Sequence, residues 1–224
     1  MTTFGHSIKI YNNEFLIFPE KAAYWKKEKI LLIADPHFGK TATFRSNGIA
    51  VPGGTTTENL NRINMLISKT NPSEIIFLGD FFHAKRGKAE KTITLLKEWR
   101  IKNSGITLKL VRGNHDKMSG ELPSELDIIP FDKALQTDNF IFSHNPFEEK
   151  GKYIISGHVH PAVILRGKGR EVLKLPCFYF SNGHAVLPSF GSFTGSYIIE
   201  PKPDDKIFVI ADNEVILINK KTHK

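Results

Sequence analysis

Short apolar runs, each followed at once by small polar residues, set the pattern of this chain. Ile30-Leu31-Leu32-Ile33-Ala34 is continuous, as in a strand buried on both faces, and Asp35-Pro36-His37 comes next. Glu74 to Leu78 leads into Gly79-Asp80-Phe81-Phe82-His83. Ile106 to Val111, interrupted by Thr107 and Lys109, leads through Arg112 into Gly113-Asn114-His115-Asp116. Between these runs, Leu60, Ile63, Met65, Leu66 and Ile67 repeat at roughly helical spacing over 57–68, with Thr57 as the expected cap. Ile93, Leu96 and Trp99 mark one side of a helix over 88–102. Such alternation predicts parallel strands with covering helices. Ahead of it, 8–11 and 14–19 read as two strands around the turn Asn12-Asn13, and 21–28 as a polar, partly aromatic connection. Residues 38–57 form a long polar stretch with Gly39, Gly48, Pro52, Gly53 and Gly54. Beyond Asp127 the helical period gives way to short strands, expected at 140–143, 153–156, 162–165, 171–175, 178–180, 197–200, 207–210 and 215–218. The expectation is one domain over 1–219, α/β in its first half and β-rich in its second, with 220–224 a frayed, disordered tail.

Hydrophobic residues make up 40% and charged residues 24% of the 224, ordinary proportions for a globular chain with a substantial core. No run approaches the roughly 18 apolar residues of a membrane span, so no membrane partner is expected. The start, Met-Thr-Thr-Phe-Gly-His-Ser, lacks the basic and apolar regions of a secretory signal. A lone cysteine, Cys177, excludes an intrachain disulfide framework and points to a reducing cytoplasm. Flanked by Leu175-Pro176 and Phe178-Tyr179-Phe180, it reads as a packed thiol and not a nucleophile. The net charge of +8 tilts the choice of partner toward a polyanion such as nucleic acid, without fixing it.

The chemistry collects at strand ends. Five apolar runs stop at Asp35 and His37; at Asp80; at Asn114, His115 and Asp116; at His144; and at His158 and His160. In open α/β sheets, ligands gather outside the carboxyl ends of the strands, so these ends can converge. Imidazole, carboxylate and amide oxygen without thiolate suit Zn, Mn, Fe or Ni. Asp35, His37, Asp80, Asn114, His144, His158 and His160 are too many donors for one tetrahedral ion and suit two, with a carboxylate between them. In Asp35-x-His37 and His158-x-His160, the alternation of an extended chain would aim both members at one cluster. Each residue alone has a plainer reading: a hydrogen-bonded loop histidine, a helix cap, or, for Gly113 to Asp116, a turn. Their recurrence at five ends argues for a shared site. Lys40 and Arg45 follow the first of these ends and are candidates to face substrate, a solvated linker being the alternative. His83, three residues after Asp80, either backs the site and meets substrate or is a packed loop histidine. His6, His184 and His223 have no motif around them.

Taken together, Asp35-x-His37, Gly79-Asp80, Gly113-Asn114-His115-Asp116, His144 and Gly157-His158-x-His160 resemble the full signature of the calcineurin-like metallophosphoesterases, in the family's order. The resemblance implies a metallophosphoesterase-type four-layer α/β/β/α sandwich with a dinuclear metal site at the strand C-terminal ends. It implies that Asp35, His37 and His160 hold one metal, that Asn114, His144 and His158 hold the other, and that Asp80 bridges them. No ligand position is missing, which argues against the metal-free scaffolding members. The implied chemistry is in-line attack on a phosphoester by a hydroxide that two divalent metal ions activate, manganese foremost. By the same resemblance His115 is catalytic, stabilising the transition state or protonating the leaving group. Asp116 either orients His115 or braces the turn, and bracing is the favoured role.

Further segments narrow the branch. Asp35-Pro36-His37-Phe38-Gly39-Lys40, Phe44-Arg45 with Gly48-Ile49 and Pro52, Gly79-Asp80-Phe81-Phe82-His83, Ser156-Gly157-His158-Val159-His160-Pro161, Leu175-Pro176-Cys177-Phe178 and Leu187 to Gly195 resemble the small bacterial ligase-associated DNA-damage-response endonucleases. Pro36 and Phe38 stand where leucines are more usual, and Ser189 where alanine is. The branch implies DNA as substrate, a role in repair, and a repair ligase or helicase as partner. Lys85, Arg86, Lys88 and Lys91 follow one motif, while Arg166, Lys168, Arg170 and Lys174 follow another. Either cluster can track phosphates or simply be a solvated face. The alternatives are a small-nucleotide phosphodiesterase or phosphatase of the same superfamily, and a non-catalytic binding partner of a repair ligase or helicase.

Overall fold

The computed structural model describes residues 5–51, 53–167, 170–192 and 194–218. Pro52, Lys168, Phe193 and the tail 220–224, all named above, lie outside the described residues, as does the side chain of Arg86. The first half of the chain lays down β1 (His6–Ile10), β2 (Asn13–Phe18), β3 (Ala22–Trp25), β4 (Ile30–Ile33), β5 (Glu74–Leu78), β6 (Thr107–Val111) and β7 (Ile128–Phe131), neighbours in space as in sequence. Strands β1 to β4 form an antiparallel meander, and β4 to β7 run parallel. The crossovers between the parallel strands carry α1 (Lys40–Ser46), α2 (Thr55–Thr70), α3 (Glu90–Lys102) and α4 (Asn114–Ser119).

The second half builds another sheet from β8 (Ala134–Gln136), β9 (Phe140–Ser143), β10 (Tyr153–Ser156), β11 (Pro161–Arg166), β12 (Val172–Phe180), β13 (His184–Val186), β14 (Tyr197–Ile198), β15 (Lys206–Ala211) and β16 (Glu214–Ile218). Its order is β14-β11-β12-β13-β10-β9-β8, with β15 against β12 and β16 against β15. Strands β9, β10 and β13 are parallel, so their carboxyl ends share one edge.

The uniform apolarity of the central strands has a direct cause. Leu32 and Ile76 point between the sheets, where they meet Phe140, Phe142 and Phe178. Leu31, Ile33, Ile75 and Phe77 point the other way, onto Leu60, Ile63 and Leu66 of α2 and Leu96 and Trp99 of α3. Fully burying each such side chain contributes about 1.5–3 kcal/mol. The helical cover lies on the first sheet. Among the described residues no α-helix follows Ser119, and Val163, Cys177, Ile207 and Val209 of the second sheet form a separate cluster with Ile199 and Ile218 packed against it. The fold is thus the expected α/β double sheet, with all four α-helices of the described residues in the first half of the chain. The second half carries no 3.6-residue stripe to make another.

Several local expectations change. Residues 22–25, inside the expected polar connection, form the fully buried β3. Its short apolar segment lies between charged neighbours, and pairing with β2 and β4 on both sides overrides that context. The 38–57 stretch contains α1, which buries Thr41 and Thr43 and so shows no hydrophobic stripe. Helix α2 begins at Thr55 after Gly54, and Thr57 is an exposed first-turn residue, not its cap. The two strands expected at 171–175 and 178–180 are one, β12. Pro176 sits where β12 leaves β11 for β13 and β15, so a missing N–H is tolerated there. Strands β7, β8 and β13 and helix α4 have no counterpart in the sequence reading. No helix among the described residues is long and apolar enough to cross a membrane.

Candidate metal centre

The carboxyl ends of β4, β5, β6, β9 and β10 meet at one edge of the two sheets. Five of the seven candidate donors adopt left-handed backbone: Asp35 (φ 48°), His37 (47°), Asp80 (45°), His158 (66°) and His160 (51°). Non-glycine residues rarely sit there, and each costs about 1–2 kcal/mol. The chain reverses at these residues and does not run on extended. The pairs Asp35-x-His37 and His158-x-His160 therefore converge through tight reversals, not through strand alternation. Backbone bonds hold the reversals in place: His37 N–H donates to the Asp80 carbonyl (2.9 Å), and His158 N–H to Asp35 Oδ2 (2.8 Å).

Two glycines make room. At Gly79 (φ 85°) a Cβ would lie 2.0 Å from His144 Nδ1. At Gly113 it would lie 2.2 Å from Asp80 Oδ1. Both approaches are closed to any residue with a side chain.

Around one point lie His144 Nε2, Asn114 Oδ1 (2.9 Å away), His158 Nδ1 (3.0 Å) and Asp80 Oδ1 (3.6 Å). His144 Nδ1 faces the Leu78 carbonyl at 3.1 Å and must carry the proton, so Nε2 presents a lone pair. Amide oxygen, carboxylate and imidazole lone pair thus crowd together, an arrangement a cation stabilises. Around a second point, Asp35, His37 and His160 offer donor atoms within 4.8 Å of one another. His160 Nδ1 faces the Gly195 carbonyl (3.0 Å), which leaves Nε2 free to face Asp35 Oδ2 at 3.4 Å. His37 Nε2 lies 4.0 Å from Asp80 Oδ2, so Asp80 stands between the two groups.

Burial sharpens the case. Asp35 Oδ1, both ring nitrogens of His37 and His160 Nε2 are buried without a hydrogen-bond partner. Orphans of this kind are rare in a native interior unless water or an ion completes them, and His83 Nδ1 beside the site and Glu20 Oε2 away from it share the state. Burial, reinforced by Lys40 and by neighbouring imidazoles, drives the His37 pKa down to about 2, which keeps it neutral and able to ligate. Burial also lowers His158. At His160 burial pulls the same way, but the Asp35 carboxylate outweighs it and the pKa rises. Burial raises the Asp80 carboxyl, against the pull of His144 and with the help of Asp35. The donor set fits divalent cations.

Asp116 is 5% exposed, and its carboxylate is spent on backbone. Oδ1 accepts from Phe81 N (2.9 Å) and Phe82 N (3.3 Å), and Oδ2 from Gly113 N (2.9 Å). It ties the Asp80 turn to the Asn114 turn. His115 is half-buried, its Nε2 3.9 Å from Asp80 Oδ2, and its ring stacks on His83 at 5.1 Å. His83 also meets the His37 ring edge-on at 5.5 Å, and burial with Lys40 nearby lowers it to about 4. Lys40, half-buried at the start of α1, acts on the charge of these imidazoles. Arg45 differs: Nε and Nη2 both turn back to the Val51 carbonyl (3.1 and 3.0 Å). Of the basic clusters, Lys85, Lys91, Arg166 and Arg170 are exposed, while Lys88 donates to the Gly120 and Glu121 carbonyls.

A sixth strand end joins the site. The segment after β13 braces Asp35: Phe190 N–H donates to the Ala34 carbonyl, while Gly191 N–H and Ser189 Oγ donate to the Asp35 carbonyl. Ser189 carries no ligand-type side chain, so its type alone gave no signal of this role.

With the geometry in place, the chain can be set beside known proteins. The family model for calcineurin-like phosphoesterases matches residues 28–158. Nuclease MPE of Pseudomonas putida, known from its crystal structure, is 31% identical, covering 96% of this chain and 100% of its own, with a TM-score of 0.84. A protein of unknown function from Aquifex aeolicus (21% identity, 63% of this chain and 82% of its own, TM-score 0.41) and YfcE, a phosphoesterase from E. coli (15%, 84% and 96%, 0.40), are too distant in shape to add weight. No curated protein matches. A family model covering more than half of the chain, over the segment that carries the crowded acceptors, leaves one conclusion: this chain belongs to the calcineurin-like phosphoesterases and is a hydrolytic metallophosphoesterase.

Proposed function

We propose that the chain is a metal-dependent phosphodiesterase that cuts DNA internally and serves DNA repair. The observation that carries this reading is the two adjoining donor groups, Asp35 with His37 and His160 and Asp80 with His144, in a chain similar over 96% of its length to a bacterial nuclease. Asp35, His37 and His160 would hold one cation and Asn114, His144 and His158 the other, with Asp80 shared. When bound, such a pair would supply positive charge to phosphoryl oxygens and lower the pKa of a bound water; manganese is the first cation to try. The chain's own residues do the rest. His115, at the mouth of the site, protonates the leaving oxygen, and His83 stacks on its ring and fixes the ring's plane. Asp116 braces both turns. Lys40 meets the phosphate charge, and Arg45 holds the loop after α1 in shape.

The test is Mn²⁺-dependent cleavage of a circular single-stranded DNA, with bis-p-nitrophenyl phosphate assayed in parallel and Asp80→Asn as control. Cutting of the circle that is lost in the variant establishes an endonuclease, because an exonuclease has no end to start from. Hydrolysis of the small ester beside an intact circle moves the reading to exonuclease or small-nucleotide substrates. Inactivity on both overturns it.

A further inference from the structure

On the far side of His160 from Asp35 and His37 the surface opens into a cavity of about 160 Å³. Its walls include Lys21 from the β2–β3 turn, Lys174 from β12, and Thr194, Gly195 and Ser196 from the loop before β14. Among the described residues no carboxylate lines it. His160 is the shared wall, with one ring nitrogen on the Gly195 carbonyl and the other toward Asp35.

Lys21 is the unusual residue. It sits in left-handed backbone (φ 67°), and its side chain is only partly exposed. Among the described residues its ammonium makes no hydrogen bond and no ion pair. The nearby cation Arg62 is itself engaged by Asn59 Oδ1 and the Phe190 carbonyl. Burial, with Arg62 beside it, lowers the Lys21 pKa to about 8. An ammonium partly withdrawn from water beside another cation is stabilised by an anion that reaches it. Lys174 lends a second ammonium, tethered among the described residues only to the Ser196 carbonyl at 3.2 Å.

We propose that this cavity is a phosphate subsite, in which Lys21 and Lys174 hold the phosphate next along the strand from the one at the metal centre. The proposal rests on the nuclease reading above and gives it a source of selectivity. A polynucleotide has a second phosphate to anchor, whereas a simple diester does not. The subsite therefore favours nucleic acid through binding, and leaves the chemical step on small esters untouched.

Binding of a short fluorescent oligothymidylate is followed by anisotropy over a range of salt, using Asp80→Asn so that the strand stays intact. Into that background go Lys21→Met, which keeps the methylene stem packed, Lys174→Ala, whose ammonium is exposed, and Lys21→Arg. Each charge removal is expected to weaken binding by about tenfold and to lower the log–log salt slope by about 0.7, the single-strand value per phosphate contact. Lys21→Arg is expected to restore both. With Asp80 intact, the same variants keep wild-type hydrolysis of bis-p-nitrophenyl phosphate. Unchanged affinity and slope in Lys21→Met and Lys174→Ala overturn the subsite. So does a fall in small-ester hydrolysis with Lys174→Ala, which would make the cavity part of the catalytic frame. Failure of the nuclease reading shows itself separately, as wild-type protein that leaves DNA uncut, and the binding comparison still decides the subsite.

Discussion

His144 is held where it can ligate by a contact with no slack: its Nδ1 lies 3.1 Å from the Leu78 carbonyl and would lie 2.0 Å from any Cβ at position 79. Gly79→Ala must therefore either shift the ring or open the turn, at a backbone already left-handed. The expected outcome is a loss of about 1–2 kcal/mol from the backbone alone and metal binding weaker by about 10–100-fold. Urea denaturation and Mn²⁺ titration of hydrolysis read the two effects separately. Unimpaired Mn²⁺ affinity would show that His144 is not held by this contact. Asp116 poses the opposite question, since both oxygens already face backbone N–H groups. Asp116→Asn replaces one acceptor with an amide that faces a donor, at a cost of about 1–3 kcal/mol. Combined with His115→Ala, Asp116→Asn is expected to lose activity by the product of the two single losses. A double variant no worse than His115→Ala would make Asp116 the partner of His115 and not a brace.

Strand β3 shows how an element escapes the sequence. Ala22-Ala23-Tyr24-Trp25 is too short to show a period, and the charges of Lys21, Lys26 and Lys27 disguise it as a connection. Its identity comes from partners far along the chain: Trp25 stacks on Phe15 at 5.5 Å and meets Phe140 edge-on at 4.8 Å, with Nε1 on Asn13 Oδ1. Trp25→Ala is expected to cost about 3–5 kcal/mol in equilibrium denaturation. A cost under about 1 kcal/mol would mean that the sheets do not pack through it. The central parallel strands were legible because burial on both faces leaves an unbroken apolar run. Helix α1 was not, because it packs through threonines. At the site the legible part was side-chain type: each candidate donor is an Asp, Asn or His at the end of an apolar run. Lys21 and Ser189 were not legible as site residues. Their roles depend on where the β2–β3 turn and the segment after β13 come to rest, which only the pairing of the sheets decides.

At the scale of the molecule, the donors divide between the sheets. Asp35, His37, Asp80 and Asn114 follow strands of the first, while His144, His158 and His160 follow strands of the second. Each candidate group draws from both: Asp35 and His37 meet His160, and Asn114 and Asp80 meet His144. A cation at either point therefore ties one sheet to the other at their shared edge. It binds the folded chain far better than an unfolded one, in which these residues are scattered along the sequence. At a free concentration of 100 Kd, such a ligand adds about 2.7 kcal/mol of stability. For a chain of this size, that corresponds to a rise in Tm of roughly 5–10 °C. The measurement is a thermal melt of wild-type protein with chelator and with excess Mn²⁺, repeated for Asp80→Asn, His158→Ala and Lys21→Met. The rise is expected in wild type and in Lys21→Met, reduced in His158→Ala, and lost or nearly so in Asp80→Asn, because the Asp80 carboxylate lies 4.0 Å from His37 and 3.6 Å from His144, one from each group. A full rise in Asp80→Asn would place the stabilising ion elsewhere and break the link between the two sheets and the chemistry at their edge.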